Sequence, residues 1–248
     1  MIAVISPAKT LDYATALPPL TPTAPRFGEE AATLARSAAR LPQKRLRQLM
    51  GISLALAKLN HDRFVGFADA PERPALYAFA GDVYHGLDVA TLDEAAVAFA
   101  QDHLRMLSGL YGLLRPLDLM RPYRLEMGTH WAPRRAKLTD WWGDRIAATL
   151  IEDLTADGSA TVLNLASNEY WAAVEGRLPD VRVISADFRE GADRRFVSFN
   201  AKRARGAMAR WLIEHRVATP DDMQAFDWEG YRYVADESEP DRWRFVRG

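Results

Sequence analysis

Four stretches of this sequence join turn-forming residues to side chains that can hold an anion or move a proton. The first is Ser6-Pro7-Ala8-Lys9-Thr10-Leu11-Asp12, which sets an ammonium and a carboxylate just after the apolar run Ile2–Ile5. Lys9-Thr10 has the look of a P-loop ending, but the glycines that let backbone amides wrap a triphosphate are missing, so that site is rejected. The second stretch, Gly109 to Thr129, carries Arg115-Pro116, Asp118, Arg121-Pro122, Tyr123, Arg124 and Glu126. Guanidinium groups on a proline-stiffened loop are preorganised for planar anions such as phosphate or carboxylate. Arginine–carboxylate pairs that merely tie the loop together are the alternative. The third, Asn164-Leu165-Ala166-Ser167-Asn168-Glu169-Tyr170, reads as a strand entering a helix with Ser167 at the N-cap. A cap suffices to explain it, yet Asn168 and Tyr170 would share a rim with Lys9. In the fourth, Phe199–Gly206, Lys202 and Arg205 fall at a helix start, where cations oppose the helix dipole. A bound anion would relieve that conflict.

The charges are segregated along the chain. Residues 31–61 carry six Lys and Arg and no acid, and residues 189–216 carry eight against three acids. Residues 219–241 carry eight acids against Arg232 alone. A formal charge of −1 therefore hides blocks of +6, +5 and −7. Basic faces of this kind are the usual footprint of a phosphate partner, or else a solvated helix face. Within the first block, Leu49–Leu59 fits a helix-hairpin-helix pattern spanning about residues 41–60. Met50, Gly51, Ile52 and Ser53 form its turn, and Leu56 and Leu59 would pack the second helix. The N–H groups of 51–54 would be free to hold a phosphate. Lys44, Arg45, Arg47 and Lys58 flank the turn as counter-charges. A plain helical corner carrying a glycine is the alternative. Leu107–Gly112 resembles a second such turn, but Pro116 would break the following helix, so it reads as a strand end and loop.

The elements that must position these groups follow from periodicity. Ile2–Ile5 reads as a buried strand, and residues 17–25, with four prolines, as an extended connection. Helices are expected over 27–40, 43–50, 53–67, 93–104 and 140–154. Strand and helix then alternate: strand 161–165, helix 168–175, strands 181–188 and 196–199, helix 201–216. Residues 231–234 and 243–246 would pair as late strands. Such alternation predicts an α/β fold with a helix-covered sheet. No repeat or linker divides the chain, so residues 1–248 read as one domain with an acidic segment at about 219–241.

Composition narrows the chemistry. With no cysteine among 248 residues, disulfides, cysteine-ligated metals and thiol nucleophiles are excluded. His61, His85, His103, His130 and His215 are scattered without ligand spacing, so no metal and no cofactor is expected. No GxSxG elbow and no GxGxxG fingerprint occurs. The N-terminal apolar run is too short for a signal peptide, and no window is long enough to span a membrane, which predicts a cytoplasmic protein.

Taken together, ISPAKTLD (5–12), ALYAFAGDVYHGL (75–87), LSGLYGLLRPLDLMRPYRLEMGT (107–129), NLASNEYW (164–171) and SFNAKRARGAMARW (198–211) resemble the YaaA peroxide-stress family. The resemblance implies a cytoplasmic bacterial protein that limits peroxide damage to DNA and is associated with lowered intracellular iron. It implies one α/β domain with a helix-hairpin-helix element, a positively charged cleft and DNA as the partner. Carried over residue by residue, the hairpin corresponds to Met50–Ser53 and the cleft to Lys9, Arg121, Arg124, Lys202 and Arg205. It brings no catalytic residues and no role for the acidic segment. A phosphate-dominated DNA-binding monomer is the leading expectation. The alternative is an enzyme acting on a nucleotide or modified base, motivated by the polar excess of Lys9, Thr10, Asp12, Tyr123, Arg124, Glu126, Asn168 and Glu169.

Overall fold

The computed structural model describes all 248 residues. The chain opens with β1 (Ile2–Ile5) and β2 (Thr10–Leu11), then α1 (Gly28–Ala39), α2 (Gln43–Met50) and α3 (Leu54–Val65). Next come β3 (Arg73–Pro74), α4 (Ala75–Ala78), β4 (Phe79–Ala80), α5 (Asp82–Leu87) and α6 (Glu94–His103). They lead to β5 (Leu104–Ser108), β6 (Gly112–Leu114), β7 (Leu119–Met120), α7 (Leu138–Trp142) and α8 (Arg145–Asp157). The last third holds β8 (Thr161–Leu165), α9 (Asn168–Trp171), β9 (Arg182–Glu190), α10 (Ser198–Glu214), β10 (Arg232–Tyr233) and β11 (Arg242–Arg247).

One seven-stranded sheet organises these elements in the order β10-β11-β9-β8-β1-β5-β6. Its five inner strands are parallel, and β10 and β6 close the edges antiparallel. Every residue of β1 is buried, as a central parallel strand covered on both faces requires. Ile2 pairs with Val162 and Ala3 with Leu104. The α/β architecture read from the alternation is therefore the one observed.

The helix expected over 168–175 stops at Trp171, and two further boundaries change for physical reasons. The strand expected over 196–199 does not form, because β9 already lies between β8 and β11 and offers no open edge. Those residues lead instead into α10, which begins at Ser198, three residues before the expected start at 201. The helix expected over 140–154 is broken at Gly143, whose φ of 54° ends α7. The predicted face of Trp142, Ile146, Leu150 and Leu154 is nonetheless buried.

A charged tie fastens α8 to the sheet. Asp153 accepts from Arg105 Nε at 2.6 Å and from both Arg26 terminal nitrogens at 2.6 and 2.9 Å. Burial alone would raise the Asp153 carboxyl, but the bonds from Arg105 and Arg26 outweigh it and hold it below its ordinary value. A carboxylate held low in the fold contributes stability above its unfolded pKa of about 3.9, and loses it as pH falls through the folded value. Asp153→Asn strands the buried Arg105 charge and is expected to cost about 3 kcal/mol at neutral pH. The gap between the melts of the two proteins should begin to narrow as the pH falls below about 4 and close only once it is below the lowered folded value. A constant gap would show that the charge is not what the variant lost.

Candidate functional site

The carboxyl ends of β1, β8 and β9 open onto a cleft walled on the far side by α10, where parallel sheets place ligands. One part, of about 850 Å³, is lined by residues including Asn164, Asn168, Ser185, Asp187, Phe196 and Arg242. A second part, of about 380 Å³, runs over Ser6–Thr10 and Ala80–Val83. Ser167, Glu169, Lys202 and Arg205 line both parts, making the cleft continuous. Its base is a small hydrogen-bonded frame. Ser6 Oγ accepts from the Ser167 N–H at 2.9 Å, and Asn164 Nδ2 donates to Ser185 Oγ at 3.2 Å.

Four of the residues singled out from sequence converge at one end. Lys9 Nζ lies 3.6 Å from Glu126 Oε1, and Arg124 Nε donates to the same oxygen at 2.9 Å. Glu126 Oε2 is buried and has no partner. The backbone of Gly128 donates to Glu169 Oε1 at 3.3 Å, so the 107–129 loop and α9 meet beside this cluster. Thr10 lines the smaller part and Asn168, exposed, the larger.

Of the other candidates, Asp12 and Arg121 lie elsewhere, while Tyr123, though buried, lines a small cavity with Lys9, Arg124 and Glu126. Asp12 turns away from Lys9. It accepts from the N–H groups of Ala14 and Thr15 and lines a separate cavity with Arg73 and Tyr77. Its carboxyl is lowered to about 2, chiefly by the hydrogen bond from the Thr15 side chain. Arg121 pairs with Glu72 at 3.0 Å and sits 5.7 Å from the Phe67 ring, outside the cleft. Tyr123 is a core residue that shares a 2.6 Å hydrogen bond with buried Ser108, and burial pushes its phenol up.

The cleft is basic by a single charge only, because carboxylates line it nearly as densely as cations. Lys9, Arg189, Lys202, Arg205 and Arg242 face Asp82, Glu169, Asp187 and Asp241. Lys202 pairs with Asp82 at 3.6 Å, and Asp187 is shared by Arg189, Arg242 and Arg244. Arg205 alone among these cations has no carboxylate within ion-pair distance, and its Nε is buried without a partner. The dipole argument for Lys202 and Arg205 lapses, because α10 starts at Ser198 and they fall beyond its first turn. Partner-free charge replaces it as the reason to place an anion at Arg205. Sequence reasoning passed over Phe196, Arg189 and Ser185. Phe196 carried a usable signal: a large ring standing among charged residues, misread as a strand position.

At the other candidate site, α2 and α3 meet at Gly51, whose φ of 61° makes the turn. The corner is narrower than the motif requires. Gly51 and Ile52 donate to Arg47 O, leaving only Ser53 and Leu54 with unbonded N–H groups. Leu56 and Leu59 are exposed, while Ala57, Asn60 and Phe64 form the buried face of α3. The helix-hairpin-helix assignment is thus not carried by the packing. The cations hold up better. Lys44, Arg45 and Arg47 are exposed with no carboxylate within 4.0 Å, whereas Lys58 is bound to Asp62 at 2.7 Å. In the second basic block, by contrast, six of eight cations are paired, among them Arg194 with Glu237 and Arg203 with Glu229. Those two carboxylates belong to the 219–241 segment, which thereby neutralises two cations of that block.

No helix is long and apolar enough to cross a membrane. Comparison with known proteins matches residues 1–237 to the family model described as peroxide stress protein YaaA. A UPF0246 protein of Rhizorhabdus wittichii is 56% identical over all of this chain and 99% of its own length. UPF0246 proteins of Jannaschia sp. and Ruegeria pomeroyi are 49% and 47% identical over the whole chain, covering 97% and 98% of theirs. With the model spanning nearly every element that builds the cleft, this chain belongs to the peroxide stress protein YaaA family.

Proposed function

We propose that this protein serves the peroxide stress response by binding DNA through its phosphates, with the α2–α3 corner as the main contact. The observation that carries this reading is the set of exposed, carboxylate-free cations Lys44, Arg45 and Arg47 beside the free N–H groups of Ser53 and Leu54. Such contacts hold the backbone without reading bases. A chain without cysteine neither senses nor destroys peroxide by thiol chemistry, so this reading places its protection at DNA, iron supply or another substrate, and takes the protein to be a cytoplasmic monomer. Anisotropy titrations should show affinity falling steeply with salt and differing little between duplex sequences. Salt-insensitive binding, or none, removes the reading.

A second reading is favoured by one specific geometry. The Lys9 ammonium 3.6 Å from a carboxylate whose other oxygen is buried and unpartnered is an acid–base pair at the mouth of a cleft. It would act on a nucleotide or a modified base.

A further inference from the structure

We propose that the cleft between α10 and the carboxyl ends of β1 and β8 binds a nucleotide, its phosphate on Arg205 with Lys202 and its base stacked on Phe196. This rests on the second reading of the cleft and names what the site takes.

The charge pattern sets the size of the anion. A strand would drag several phosphates past Glu169, Asp187 and Asp241, which line the same space. Arg205 is the one cleft cation left without a carboxylate, which suits a single phosphate group. A guanidinium offers that group a planar fork of donors and stays charged when partly buried. The volume of about 850 Å³ falls within the range of small-molecule sites.

The ring identifies the rest of the ligand. Phe196 is 51% exposed and lines the cleft. Arg189 sits 5.6 Å from its centroid, which braces the ring. An exposed aromatic face beside a phosphate site is a platform for a base, since every base presents a π-face. Asn168 and Ser185, also on the lining, offer donors and acceptors to ring edges or sugar hydroxyls. Phe199 is 55% exposed but is absent from the lining, so it serves as an internal control.

Calorimetric titration of the full chain with AMP, inorganic phosphate, a short single strand and a duplex tests the assignment. AMP should bind about tenfold tighter than phosphate, and Phe196→Ala should erase that advantage while Phe199→Ala keeps it. Arg205→Gln should weaken both ligands, with circular dichroism confirming that it folds. A single strand that outcompetes AMP in a Phe196-dependent way overturns the assignment to a lone nucleotide, because the cleft then accepts several phosphates past its carboxylates. AMP binding no tighter than phosphate, or a Phe196→Ala loss equal to that of Phe199→Ala, overturns the proposal. AMP binding without turnover leaves it standing and removes AMP as a substrate of the acid–base pair. Turnover indifferent to Phe196 and Arg205 does the reverse.

Discussion

Replacing Lys44, Arg45 and Arg47 together by Ala is expected to weaken duplex binding at least tenfold, roughly, at physiological salt, whatever the DNA sequence. It should also flatten the plot of log affinity against log salt by about 3, one for each phosphate no longer neutralised. The reason lies in what these side chains pair with. All three lack a carboxylate to satisfy them, so their charge is free for a phosphate. Lys58 is already tied to Asp62, and Lys58→Ala should change far less. The substitutions lie on an exposed helix face and should leave the melting temperature nearly unchanged. If affinity and slope stay at their wild-type values, the α2–α3 corner is not where DNA binds.

The second large effect is structural. α5 and α10 cross so closely that neither tolerates a side chain at the crossing point. A Cβ on Gly206 would run into the Val83 carbonyl oxygen, and one on Gly86 into the Arg203 carbonyl oxygen. Gly206→Ala should therefore cost about 3 kcal/mol, since rigid backbone rather than a movable side chain must give way. For a chain of this length that is a fall in Tm of roughly 6–12 °C. It should also loosen ligand binding, because Lys202 and Arg205 ride on the same helix, close to the crossing. A variant melting within a degree of wild type would mean that the helices separate easily.

How far the sequence could be read depended on the range of the interactions. β1, the split face of α7 and α8, and the pairing of residues 232–233 with 245–246 rest on local periodicity, and they were legible. The convergence of Lys9, Arg124, Glu126 and Glu169 was legible as polar loops at strand ends. The contacts of Lys9 with Glu126 and of Gly128 with Glu169 were not, because they join residues far apart in the chain. Charge was the least legible property. The block of residues 189–216 counts as +5 in sequence, but Glu229 and Glu237 fold back onto Arg203 and Arg194. Asp12 misled for a related reason. Its own downstream N–H groups captured the carboxylate before any cleft could use it. At Leu56 and Leu59 the expected motif spacing yielded to burial of Ala57, Asn60 and Phe64.

The position of β1 has a consequence for how the protein is made. Its two sheet neighbours are β5 and β8, with Ala3 against Leu104 and Ile2 against Val162. At typical elongation rates the ribosome needs roughly 10–30 s to add the residues that separate β1 from β8. For that interval a strand apolar on both faces has no partner on one side. Pairings this distant in sequence also make for slow closure, since the chain loses loop entropy before the new pairings offset it. The nascent chain is thus expected to be most exposed to aggregation before its last third emerges.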